Sequence, residues 1–179
     1  MKKTLILLFL FSVLSPLSAV SGWIGLSSGI RNDWNFDSDS NVRWFWLSAE
    51  GATYFGASGG FGLSYSAGLR DIVNTDTGSG KVFSRDLRPE LTLSLAAACR
   101  HAFNDTTGLA ASLGLSSAFS PDGGRDITLS VFGRAGVDFA LSHFGFGAGL
   151  ELGLPVYEGS QASAADLYMA PYVFAAYRY

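Results

Sequence analysis

Beyond its first two dozen residues the chain alternates between apolar and small or polar positions. Ile24, Leu26 and Ile30 alternate with Gly25, Ser27 and Gly29, and Phe61, Leu63, Tyr65 and Leu69 with Gly62, Ser64, Gly68 and Arg70. Leu91, Leu93, Leu95 and Cys99 take one parity, and Glu90, Thr92, Ser94 and Arg100 the other. The same pattern recurs from Leu109 to Phe119, from Ile127 to Leu141, from Phe144 to Val156, and from Leu167 to Tyr179. Period two is the period of a strand with two unlike faces, so each run predicts a β-strand. Adding Val42 to Tyr54 brings the predicted number to eight.

Strand length separates two all-β architectures. Strands of soluble sandwiches average about 5–6 residues. Several runs here reach about a dozen, which suits a tilted strand crossing a bilayer, where about 9–11 are needed. The apolar face then looks to lipid and the Gly, Ser and charged face into a lumen. Closure into a ring satisfies every backbone amide in hydrocarbon. The expected fold is an all-β, eight-stranded antiparallel up-and-down transmembrane barrel.

The connections agree. Gly56–Gly59, Asn104–Thr107 and Ser142–His143 read as short turns. They alternate with the longer polar segments Arg31–Asn41, Ile72–Asp86, Ser120–Arg125 and Glu158–Asp166, expected outside. One strand departs from simple alternation. If Trp44 and Trp46 face lipid, strict parity carries Glu50 there too, at high cost. Either a bulge around Ser48–Gly51 shifts the parity, or both tryptophans line the upper lumen; Glu50 is expected inward.

The N-terminus is of a different kind. A basic start (Lys2, Lys3), an apolar core from Thr4 to Leu14 and a small-residue stretch from Ser15 to Ser21 form the layout of a secretory signal peptide. Cleavage after Ala19 or Ser21 fits, which divides the chain into a signal over 1–21 and a barrel over 22–179. The apolar core is too short to span a membrane as a helix. Without Lys2 and Lys3 the net charge of −3 becomes −5, against a nucleic-acid partner. The single cysteine, Cys99, has no internal disulfide partner.

A chain closing on an alternating strand with Tyr177 and Tyr179 resembles the bacterial outer-membrane barrels, whose last strand pairs with the first and is read by the assembly machinery. The mature chain resembles the small eight-stranded members, the OmpA-type, OmpX-type and OmpW-type barrels. That resemblance implies a bacterial outer-membrane location after export, with membrane lipid and the barrel assembly machinery as partners. It implies either passage of small solutes, ranked first, or surface interaction, adhesion to host ligands or envelope support through the outer loops.

The candidate lumen chemistry is electrostatic. Glu50, Arg88, Glu90, Arg134, Asp138 and Glu151 fall on the polar parity. A two-residue turn between Leu141 and Phe144 sets Arg134 opposite Glu151, where they would form a hydrogen-bonded ion pair. Such a pair reads as a gate or selectivity point, or as part of the packing that fills a lumen of this size. No cofactor, metal site or enzyme is expected. His101 and His143 lack the serine two residues on that lipid A-modifying barrels would lead one to seek. Asp37–Asn41 begins like a calcium loop but has Val42 and Ser48 where Gly and Glu are required.

Overall fold

A computed structural model of the chain describes residues 20–37, 40–55, 60–77, 80–83, 89–120, 127–157 and 166–179. Every described element is a strand: β1 (Val20–Asn35), β2 (Ser40–Phe55), β3 (Gly60–Thr77), β4 (Gly80–Phe83), β5 (Glu90–Ala102), β6 (Thr107–Phe119), β7 (Ile127–Leu141), β8 (Phe144–Tyr157) and β9 (Leu167–Arg178). Eight of them close an antiparallel ring in the order β1, β2, β3, β5, β6, β7, β8, β9, with β9 returning to β1. The seam ends in a reciprocal pair: Gly22 N donates to Tyr179 O and Tyr179 N to Gly22 O, each at 3.1 Å. Among the described residues β4 pairs with β3 alone and stands outside the ring.

The barrel is inside out relative to a soluble protein. Leu113 is 65% exposed and Leu26 60%, whereas Glu50 is 3% exposed and Asp138 5%. Phe55, Phe61, Phe103, Phe139, Phe144, Tyr177 and Tyr179 stand outward around the end that carries the short turns. Aliphatic side chains such as Leu95, Leu115 and Leu150 cover the wall beyond them. An apolar band edged by aromatic rings is the exterior of a barrel immersed in lipid.

Turn chemistry fixes the hairpins. Asn104 Oδ1 accepts bonds from Thr106 N at 2.9 Å and Thr107 N at 2.7 Å, folding the bend before β6. Ser142 takes a left-handed φ of 57° in the two-residue turn between Leu141 and Phe144. The expected turn at Gly56–Gly59 lies outside the described residues.

Two expectations need correction. Arg31–Asn41 is not a loop: β1 runs to Asn35 and β2 starts at Ser40, with Asn35 opposite Ser40. Ile72–Asp86 is likewise largely strand, since β3 continues to Thr77 and turns back as β4. The polar residues there read as loop, yet a strand that faces water on one side and a charged lumen on the other is polar on both faces. Most of the other two long segments lies outside the described residues. No bulge occurs at Ser48–Gly51; β2 alternates without interruption, with Trp44, Trp46, Ser48 and Glu50 inward and Phe45, Leu47 and Ala49 outward. The β2–β3 register shifts instead at Arg43/Trp44.

Candidate functional site: a layered charged lumen

The lumen charges stack in three layers. Midway, Arg134 on β7 lies directly opposite Glu151 on β8. Its Nε and Nη2 donate to Glu151 Oε2 at 3.0 and 2.8 Å, and its Nη1 reaches across the lumen to Glu50 Oε2 at 2.6 Å. Glu151 Oε1 accepts the Tyr168 hydroxyl at 3.0 Å. Toward the long-loop end, Arg31 holds Asp33 through two bonds of 2.5 and 3.0 Å, and Arg70 holds Glu90 at 2.7 Å. Toward the short-turn end, Asp138 receives both Arg100, at 3.1 and 2.9 Å, and Arg178. These five arginines face five carboxylates, so the network is neutral as a whole. The charge is nevertheless unevenly placed: two carboxylates share one arginine in the middle layer, and two arginines share one carboxylate below.

Aromatic rings hold the arginines from one side. Arg31 lies 3.6 Å from the Tyr168 ring centre, Arg70 4.4 Å from Trp44, and Arg134 4.5 Å from Tyr172 and 5.8 Å from Trp46. Each of these three guanidiniums thus sits between a carboxylate and a π face. The rings come from β9, β1 and β2, where Tyr168, Tyr172, Phe174, Trp23, Trp44, Trp46 and Tyr54 point inward. β8 makes room for them with glycine. Gly153 lies opposite Tyr168 and Gly149 opposite Tyr172, and a Cβ at either position would overlap the facing ring.

The opposite wall is built from small side chains. β3, β5 and β6 present Ser64, Ser66, Ser94, Ala96, Ser112 and Gly114 inward, with Ser66 and Ser94 hydrogen-bonded at 2.6 Å. Free volume collects there. A cavity of about 60 Å³ lies on the long-loop side of Arg134, between Arg31, Arg70, Thr92, Ser116 and Glu151. Another of about 50 Å³ lies on the short-turn side, along Glu50, Ser64, Ser112 and Tyr172. Ser66, Ser94, Phe132 and Arg134 line both. Each is large enough for a few water molecules. A third space of about 320 Å³ opens at the short-turn mouth and shares Trp23, Tyr54 and Arg178 with the second.

Similarity to solved structures covers nearly the whole chain. Neisserial surface protein A (NspA) matches 90% of this chain and 96% of its own at 12% identity, with a TM-score of 0.56. Ail, the attachment invasion locus protein of Yersinia pestis, solved with the heparin analogue sucrose octasulfate, matches 89% of this chain and 97% of its own at 18% identity and a TM-score of 0.49. The fold is that of the small outer-membrane β-barrels. No family model and no curated protein sequence matches the chain.

Of the residues singled out in the sequence of this barrel, Glu50, Arg134 and Glu151 come together, Asp138 lies in the layer below, and Glu90 in the layer above. Arg88 lies outside the described residues. Sequence reasoning missed Arg31 and Asp33, which had been assigned to a loop. Arg70, Arg100 and Arg178 were on the polar parity but were not paired with acids: Arg70 faces Glu90 directly, in a register that the long connection between β3 and β5 hides from counting, and Arg100 and Arg178 reach Asp138 over an intervening strand. Phe132 and Tyr172, both buried, stand on the polar parity but carry no charge, so a reading that sought charged lumen residues passed over them. His101 meets Phe103 edge-on at 5.3 Å and His143 stacks on the face of Tyr177 at 5.7 Å, both at the short-turn end.

Proposed function

We propose that the protein is exported to the bacterial outer membrane and there provides a narrow path for water-sized solutes and small ions, closed at Arg134. One observation carries this reading. The three spaces form a series, each sharing lining residues with the next, from the short-turn mouth to Arg31 and Arg70. The short-turn end faces the periplasm in this reading, and the first 21 residues act as the cleaved signal. Opening requires Arg134 to release Glu50, the partner it reaches across the lumen, while Glu151 on the adjacent strand retains it. His101 and His143, each against an aromatic ring, are given no catalytic part.

Conductance of the refolded barrel in a planar bilayer tests the path. Small, reproducible steps that enlarge in Glu50→Gln and vanish in Ser94→Phe are expected; a silent, correctly folded wild-type barrel would overturn the reading. The terminal Tyr177 and Tyr179 serve in this account as the signal read by the assembly machinery. Deleting Tyr179 is expected to lower the amount of heat-modifiable barrel in the outer membrane, as read on unheated gels.

A second reading rests on strand length. β1, β2 and β3 have 16, 16 and 18 residues, against 12 to 15 in the other ring strands. About 9–11 residues suffice to cross the bilayer. The excess, with β4, raises a sheet above the membrane on one side, a platform for a surface ligand. Loss of ligand capture on removing Thr77–Gly80, with conductance intact, would favour that reading.

A further inference from the structure

The middle layer leaves one oxygen unaccounted for. Glu151 uses both of its carboxylate oxygens, one for Arg134 and one for Tyr168. Glu50 uses only Oε2; its Oε1 is buried and has no hydrogen-bond partner among the described residues. Its side chain is 2% exposed. A buried carboxylate oxygen without a donor or a cation costs far more than an ordinary missed hydrogen bond. Glu50 lines the cavity on the short-turn side of Arg134, so this oxygen is the unpartnered acceptor of the two-glutamate, one-arginine layer.

We propose that the cavity on the short-turn side of Arg134 is a binding site for a single small monovalent cation, held by Glu50 Oε1. Three features point to that class of ligand. The layer holds two glutamates against one arginine, the balancing surplus arginine lying a layer below at Asp138, so a monovalent ion suffices to even the charge locally and a divalent ion would overshoot. Arg134, Asp138 and Arg178 also line the cavity, the arginines engaged by carboxylates, and the wall beside Glu50 offers the hydroxyl oxygens of Ser64, Ser66, Ser94, Ser112 and Tyr172, neutral acceptors suited to a hard cation. The volume, about 50 Å³, has room for an ion with a few water molecules. A proton on Oε1 would remove the charge, yet the new O–H would face the same lack of a protein partner. Arg134 occupies the far side of Glu50 and prevents the ion from passing directly into the upper cavity. The inference rests on the proposed path for access alone, because the ion enters from the short-turn mouth and need not cross the barrel.

The test is sodium NMR on the refolded barrel in detergent micelles, titrated with sodium chloride against choline chloride at constant ionic strength. Saturable line broadening, displaced by lithium or rubidium chloride, is expected for the wild type. It is expected to be lost in Glu50→Gln and retained in Asp71→Asn, which removes a carboxylate from the outer face of the wall. Broadening that never saturates, or that survives in Glu50→Gln, would overturn the site. If Glu50→Gln does not fold, the infrared carboxyl region of the wild type decides: a protonated carboxyl band unaffected by sodium would mean a proton stands where the cation is placed. Conductance is read separately, so a silent barrel that binds sodium saturably sinks the path and keeps the site.

Discussion

The two halves of the lumen solve the same packing problem in opposite ways. On β9, β1 and β2 the inward positions include the large rings and the glycines of β8 yield to them; on β3, β5 and β6 the inward positions between the charged residues are mostly serine, alanine and glycine. An eight-stranded ring is just wide enough for side chains to fill. One bulky wall is enough to occupy most of it, and the leftover space then lies against the wall that contributes least. The charges obey the same division. Arg31, Arg70 and Arg134 project their guanidiniums onto rings of the bulky wall, while the cavities follow the hydroxyls. Bulk confers rigidity here, and smallness leaves the interior wet.

The sharpest way to break this arrangement is to remove the group that joins the halves. Arg134→Leu strands Glu50 and Glu151 together in a buried layer and is expected to cost about 3–5 kcal/mol, the range for an orphaned buried charge, read by urea unfolding in micelles. Adding Glu151→Gln should recover part of that loss, since Arg134 bonds Glu151 directly; a strictly additive double-mutant cycle would refute the coupling. Next in size is the bulky wall. Gly149→Leu drives a side chain into the Tyr172 ring, an overpacking expected to cost about 1–3 kcal/mol or to block folding, visible as loss of heat-modifiable migration. The mirror change on the small wall, Ser112→Phe, has a cavity to enter and is expected to alter stability by less than about 1 kcal/mol. Equal losses from Gly149→Leu and Ser112→Phe would erase the distinction between the walls.

Period two in the sequence was sufficient for the ring, because each lipid-facing residue must be apolar and the pattern repeats on every strand. It also located Arg134 opposite Glu151, since a two-residue turn at Ser142–His143 fixes the register by counting. Glu50 is 84 residues from Arg134 and meets it only across the closed barrel. No local count reaches such a contact. The aromatic filling was illegible for a different reason. Phe132 and Tyr172 are apolar residues on the polar parity, and only the glycines on the neighbouring strand would have hinted that rings point inward; for Trp44 and Trp46 the lumen was one of two directions left open. The outer hairpins were misread because polar residues on both faces of a strand look like a loop.

Cys99 sits on the outward face of β5, opposite Phe61 on β3 and Ala111 on β6. The wall therefore comes with its own depth gauge. As the single thiol of the chain, at a height fixed by hydrogen-bonded register on both sides, it marks one level on the barrel wall. A reporter attached there would sense the membrane's edge without any engineered cysteine, and thinner or thicker bilayers would move that edge past a stationary mark.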